Sequence, residues 1–188
     1  MSNQVDISVL IVNWNCGQVI LNCVASLIAT IKEHSYEIII VDNDSKDGSV
    51  ENILKRYPFV TVIRNKHNNM FAGANNQGYA ISRGKYILVL NPDTVVPECG
   101  VDNLARVLED GNEEVITCTL LNSDGSVQYG IHRGFPSSVR LLCAFLYAKS
   151  KKLSFLPPVR NYFLLDNDFN SDFSVFRKIY IFISFNYL

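Results

Sequence analysis

Tyr86–Thr94 reads YILVLNPDT. Its first half, Ile87-Leu88-Val89-Leu90, is continuous, apolar and rich in β-formers, which predicts a strand buried on both faces. Pro92 has no N–H to give to a ladder, so the strand ends there. An acid, Asp93, therefore stands just past the carboxyl end of a buried strand. In open α/β sheets the ligand crevice lies outside those ends. A hard oxygen at that address suits a divalent cation carrying a phosphorylated ligand, because Mg²⁺ takes one or two protein carboxylates and fills its shell with phosphate and water. Asn91-Pro92-Asp93-Thr94 also suits a plain turn. On this segment alone the two readings stand level.

The flanking sequence repeats the pattern. Val5–Asn13 (VDISVLIVN) is a strand signal with an apolar centre, broken by Asn15-Cys16-Gly17. Val19, Leu21, Val24, Leu27, Ile28 and Ile31 then recur at the spacing of one helix face. Tyr36–Val41 is a second buried strand, ending in the polar turn from Asp42 to Ser49. A helix follows over Ser49–Tyr57, with Ser45 or Asp47 available to cap it, and Pro58 stops it. Phe59–Arg64 reads as a third strand. Ala72–Ser82 reads as a helix with Gly84 as its C-cap. After the YILVL strand come a helix over Val101–Leu108 and a fifth strand over Glu114–Thr119. A turn at Asn122-Ser123-Asp124-Gly125 joins two extended pieces. Strands alternating with helices imply a mostly parallel α/β sheet with right-handed crossovers and helices on both faces.

Composition narrows the function. The 188 residues carry a net charge of −1, which offers no basic field for nucleic acid. Five cysteines are scattered without a CxxC pair, as expected of a reducing compartment and not of a disulfide frame or zinc site. The amino terminus has no charged and apolar leader pattern, and no long uncharged apolar run reads as a membrane span.

Two strands end in acid–amide clusters, Asp42-Asn43 and Asn91-Pro92-Asp93. In a parallel sheet both lie on one rim. A carboxylate there can accept from a nucleobase N–H or ribose hydroxyls, and a second can hold a cation on a diphosphate. Two such clusters favour a nucleotide site over two solvated loops. Neither a GxGxxG fingerprint nor a Walker A loop is present, so binding would rest on a metal and side chains. Asn65, Asn68, Asn69, Asn75 and Asn76 crowd the segment before the YILVL strand. Turn and cap chemistry and a polar sugar pocket are equal accounts of them.

SVLIVNWN, VDNDSKDGS, FAGANNQG, RGKYILVLNPDT and LLNSDGSVQYGIHRGFPS, in this order and spacing, resemble family-2 glycosyltransferases of the GT-A fold, closest to a rhamnosyltransferase-like branch that builds surface polysaccharides. The likeness covers roughly residues 5–138. It implies a Rossmann-like GT-A domain over residues 1–138, a nucleotide-diphospho-sugar donor, a Mn²⁺ or Mg²⁺ ion, and inversion at the anomeric centre. It implies donor contacts from Asn13, Asp42, Asn43, Asn76, Gly78, Asn91 and Asp93, with Asp93 as the metal ligand and Arg133 in a weaker role. It implies a glycan or lipid-linked acceptor. The scattered cysteines suit a cytoplasmic protein, and the apolar tail with Lys149, Lys151, Lys152, Arg177 and Lys178 suits aggregation or peripheral contact at the inner membrane face. Asn91 stands where the family's first Asp is commoner, and NPDT is usual in this branch.

Residues 139–188 depart from the family. Its small-residue acceptor motif and its acidic motif for the general base have no counterpart, and Asp166, Asp168 and Asp172 lie in another context. The last stretch, FSVFRKIYIFISFNYL, is aromatic and lacks cap or turn signals. It is expected to be loosely packed, in an incomplete acceptor-side region of a truncated chain. An inactive donor-binding fragment is therefore the alternative to an active transferase. A sugar-phosphate nucleotidyltransferase is disfavoured by the missing glycine-rich basic loop.

Overall fold

The computed structural model describes residues 5–111, 115–118, 121, 125, 126, 138, 142, 145 and 180–184. The elements run β1 (Val5–Asn13), α1 (Gly17–Thr30), β2 (Tyr36–Asp42), α2 (Ser49–Arg56), β3 (Thr61–Arg64), α3 (Met70–Ile81), β4 (Gly84–Leu90), α4 (Gly100–Asp110), β5 (Val115–Ile116) and β6 (Tyr180–Ser184). They build one sheet in the order β3-β2-β1-β4-β6-β5. The β1–β2, β2–β3 and β1–β4 pairs are parallel, and β6 runs antiparallel to both β4 and β5.

Period-2 alternation divides the central strand between two faces. Ile7, Val9 and Ile11 are fully buried on one. Leu10 on the other joins Ile39, Val41, Ile87 and Ala74 of α3 in one core cluster. Gly78 lets α3 lie close to this face: a Cβ there would meet Leu10 Cδ2 and Val41 Cγ2, each at 3.3 Å. Helix α1 buries Ile20, Leu21, Cys23, Val24 and Leu27, and α4 buries Val101, Leu104, Ala105 and Leu108. Both sets recur at three- and four-residue spacing, the apolar stripe of a helix lying on a sheet.

The chain climbs outward from β1 through β2 to β3, then crosses back to place β4 on the other side of β1. Strand order therefore reverses between β1 and β4, and the crevice of an open sheet forms at such a switch point. Asn13 pairs with Asp42 in the register, and Ile11 with Leu90, so the ends of β1, β2 and β4 reach one rim.

Three sequence expectations differ from the structure. Gly84 begins β4, whereas Ser82 caps α3. The reason is steric, since a Cβ at Gly84 would sit 2.4 Å from the backbone nitrogen of Ser8 on β1. The fifth strand is two residues long and antiparallel to β6, not a further parallel strand. Within the tail expected to be loose, Tyr180–Ser184 forms β6 beside β4. Its sequence, YIFIS, is β-branched and aromatic, the composition that suits a pleated strand.

The chain divides into one unit of Met1–Cys118 with Phe173–Leu188 and a second of Thr119–Asp172. The boundary expected at residue 138 falls within the second. The Asn122–Asp124 turn, Arg133, Lys149, Lys151, Lys152, Asp166, Asp168 and Asp172 lie outside the described residues. Among the described residues, no helix is long and apolar enough to cross a membrane.

Candidate functional site at the carboxyl rim

Asn13 ends β1 with its side chain fully buried. Its amide nitrogen lies 2.8 Å from Asp42 Oδ1, 2.9 Å from Ser49 Oγ and 3.1 Å from Ser45 Oγ. Asp42 Oδ2 accepts from the Ser45 N–H at 3.2 Å. One buried amide thus ties the end of β1 to the end of β2 and to the loop that follows. Asp47 closes the same loop by accepting from the Gly17 N–H at 2.7 Å and from the Ser49 N–H and hydroxyl. The desolvation that this exposed carboxyl does feel pushes Asp47 up, but the hydrogen bonds from Ser49 and Gly17 outweigh it and hold the group below its usual range. The sequence offers Ser45 only as a helix cap and Ser49 only as the helix start, and nothing in it announces that both meet Asn13.

Asn43 is also buried. Its amide nitrogen donates to the Met70 carbonyl at 3.2 Å, and its oxygen accepts from Asn65 Nδ2 at 3.0 Å and the Asn69 N–H at 3.3 Å. Asn65 and Gln77 exchange two amide bonds of 2.8 and 3.0 Å. Asn68 accepts from the Met70 N–H, and Asn75 donates to the Phe71 carbonyl. Asn65, Asn68, Asn69 and Asn75 thus bond to one another's neighbours in the turn and first part of α3. Asn76 is exposed on α3, and Gly78 faces the sheet.

Past β4, Asn91 and Pro92 are half-buried and Asp93 is exposed. The Cys23 thiol lies 3.7 Å from the Asn91 carbonyl, and Ser26 Oγ accepts from the Val96 N–H at 3.0 Å, so α1 holds the loop at two points. Burial pushes the Cys23 thiol up to about 12. Cys16, half-buried at the start of α1, is raised chiefly by burial and further by the charges of Asp47, Asp93 and Asp42.

Among the described residues, no group of three or more His, Cys, Asp or Glu is placed to hold a metal ion. A cation here would take one or two protein carboxylates and complete its shell from phosphate and water, the habit of Mg²⁺. Asp93, an exposed carboxylate just past the end of β4, fits that donor set.

Comparison with known proteins agrees with this architecture. The chain is 32% identical over 138 residues to a poly(ribitol-phosphate) beta-glucosyltransferase of Bacillus spizizenii, covering 71% of this chain and 21% of that protein. It superposes on Staphylococcus aureus TarS 1–349 in complex with UDP-GlcNAc with a TM-score of 0.58 and 19% identity, covering 71% of this chain and 37% of that one. It superposes on the mannosyltransferase PcManGT of Pyrobaculum calidifontis, in complex with GDP-Man and Mn²⁺, with a TM-score of 0.51 and 17% identity, covering 64% and 36%. These solved structures share the GT-A fold with this chain. The first three curated relatives it matches are longer, and it spans 40%, 16% and 35% of their lengths. The model of the family described as glycosyl transferase family 2 matches residues 8–181, nearly the whole chain, and the chain belongs to that family.

Proposed function

We propose that the carboxyl rim binds a nucleotide-diphospho-sugar and that the protein transfers the sugar to a glycan or lipid-linked acceptor of a surface polymer. The observation that carries this reading is the register that brings the ends of β2 and β4, with Asp42 and the Asn91-Pro92-Asp93 turn, to one rim on either side of β1 at the switch point. Asp42 accepts from the nucleobase or ribose, with its carboxylate aimed by Asn13 and the Ser45 N–H. Asn43 holds the next loop against the same strand end. Asn91 and Asp93 face the diphosphate. A divalent cation held by Asp93 would offset the charge developing on the leaving diphosphate. The acceptor hydroxyl attacks opposite the leaving group, a single displacement that inverts the anomeric centre and needs a general base, which contributes about 10²–10⁴-fold.

The relatives named for poly(ribitol-phosphate) transfer support a polymer acceptor. The sequence motifs support a rhamnosyltransferase-like donor range, and basic residues among 149–178 support contact with the inner membrane face.

Isothermal titration with UDP, dTDP and GDP, with and without Mn²⁺, tests the donor half. The expected result is Mn²⁺-dependent binding that Asp93→Ala weakens by about 1–3 kcal/mol. Equal affinity of wild type and Asp93→Ala in Mn²⁺ removes the metal assignment. Release of nucleoside diphosphate from a panel of sugar donors, with and without a lipid-linked acceptor extract, tests transfer. Tight binding without acceptor-dependent release would identify a donor-binding fragment.

A further inference from the structure

We propose that His34 and Glu109 form a metal site, separate from the donor rim, that takes a borderline divalent transition ion such as Zn²⁺ and ties α4 to the loop before β2. The proposal does not rest on the nucleotide-sugar reading. His34 stands just before β2, whose first residue pairs with Ile7 near the start of β1, so the site lies at the amino ends of the strands.

The ring of His34 is fixed in place by the protein itself. Its side chain is 10% exposed, and Nδ1 lies 2.8 Å from Asp102 Oδ1. Asp102 is fully buried and accepts from the Lys32, Glu33 and His34 N–H groups at 2.9, 3.4 and 3.3 Å. Burial pushes its carboxyl up, but these donors hold it below its usual range, so at neutral pH it has no proton to give. The shared hydrogen therefore sits on Nδ1, and in the neutral ring Nε2 keeps a bare lone pair. A carboxylate that fixes the histidine tautomer from behind is the usual support of a metal-bound imidazole.

Nε2 lies 3.7 Å from a second acceptor, Glu109 Oε2. Two acceptors so placed need a positive partner. A proton on Nε2 serves badly, because the separation exceeds the roughly 2.7–3.2 Å of an N–H···O bond. Zn²⁺ spans it, since bonds of about 2.1 Å to nitrogen and oxygen reach that far at an angle of roughly 120–125°. Among the described residues no lysine or arginine pairs with Glu109: Arg106 is taken by Glu33 and Asn103, and Lys85 lies over the Tyr86 ring. Imidazole with carboxylate suits Zn²⁺, Ni²⁺ or Cu²⁺ better than Mg²⁺. Two side chains leave the other positions of the ion to water.

The test uses the full chain as wild type, His34→Asn, Glu109→Gln and Asp93→Ala. Asparagine keeps an amide N–H where Nδ1 stood and removes Nε2. Glutamine keeps the shape of Glu109, which is 40% exposed, and removes its charge. Isothermal titration with Zn²⁺ gives affinity, and melting in Zn²⁺ or chelator gives the linked stability. Wild type should bind one Zn²⁺ and melt about 3–6 °C higher at tenfold the Kd. His34→Asn and Glu109→Gln should each bind at least tenfold more weakly and lose the rise, and Glu109→Gln should melt like wild type in chelator. Asp93→Ala should keep both binding and rise, which separates this site from the donor rim. The Co²⁺ form should show no thiolate charge-transfer band. Absence of Zn²⁺ binding by the wild type overturns the proposal. So does unchanged binding in either His34→Asn or Glu109→Gln, a thiolate band, or loss in Asp93→Ala.

Discussion

At the scale of the residue, the rim is organised by amides that do not face solvent. Asn13 feeds three acceptors from full burial, and Asn43 braces the turn before α3. Asn13→Ala should cost about 1–3 kcal/mol, because Asp42 and Ser49 lose a donor they cannot replace from water. Urea denaturation reads this as a lower midpoint at unchanged slope. Asn13→Asp should cost more, since it sets a second carboxylate 2.8 Å from Asp42 Oδ1. The sequence made the strand-end address of Asp42 and Asp93 legible, because burial of the strand and the Pro92 stop are local signals. Whether an amide beside such an acid touches a ligand or holds the acid in place is not local. It depends on which loop packs over the strand end, and Ser45 and Ser49 carry no periodicity that announces it.

At the scale of the element, α4 is anchored far from the rim. Asp102, in its first turn, is 0% exposed and accepts from the Lys32, Glu33 and His34 N–H groups and from His34 Nδ1 at 2.8 Å. Glu109 lies 3.7 Å from the other ring nitrogen, and Arg106 pairs with Glu33. Burial pushes the Asp102 carboxyl up, but the Lys32 N–H, the His34 ring and the Glu33 N–H outweigh it and hold it below its usual range. Its folded pKa is thus below the unfolded value of about 3.9, so its stabilisation is present above that pH and is lost as pH falls through the folded value. Asp102→Asn should cost about 1–3 kcal/mol at pH 7 and flatten the decline in stability below about pH 4, measured by denaturant melts across pH. Helix α3 shows what propensity misses. Reading it from Ala72 overlooked a start at Met70, because no local rule places a methionine at positive φ. The asparagines that hold it there read as ordinary turn residues.

At the scale of the whole molecule, the parallel half was legible and the antiparallel half was not. The strands β1 to β4 each carry a run of apolar β-formers bounded by turn residues, so alternation with helices revealed the sheet. Pairing of residues 180–184 with 86–90 spans almost half the chain, and no periodicity within either segment encodes it. The structure makes β4 an interior strand only because β6 lies against it. A chain ending at residue 172 should therefore melt about 5–10 °C lower and scatter light on heating, since the bared edge of β4 is a long apolar template for other chains. Equal melting of the two chains would mean that β6 adds little to the sheet.

That pairing also sets a timetable on the ribosome. The last residue of β4 is made about ninety residues before β6 begins. At typical elongation rates the interval is roughly 5–20 s. For that time a nascent chain can close β1, β2, β3 and β4 but must carry one flank of β4 without its neighbour, and β5 waits for the same late arrival. A holding chaperone, or simple dilution of polysomes, would protect the chain during this window. Yield from cells should accordingly respond more to translation speed and temperature of synthesis than to the melting point of the finished protein.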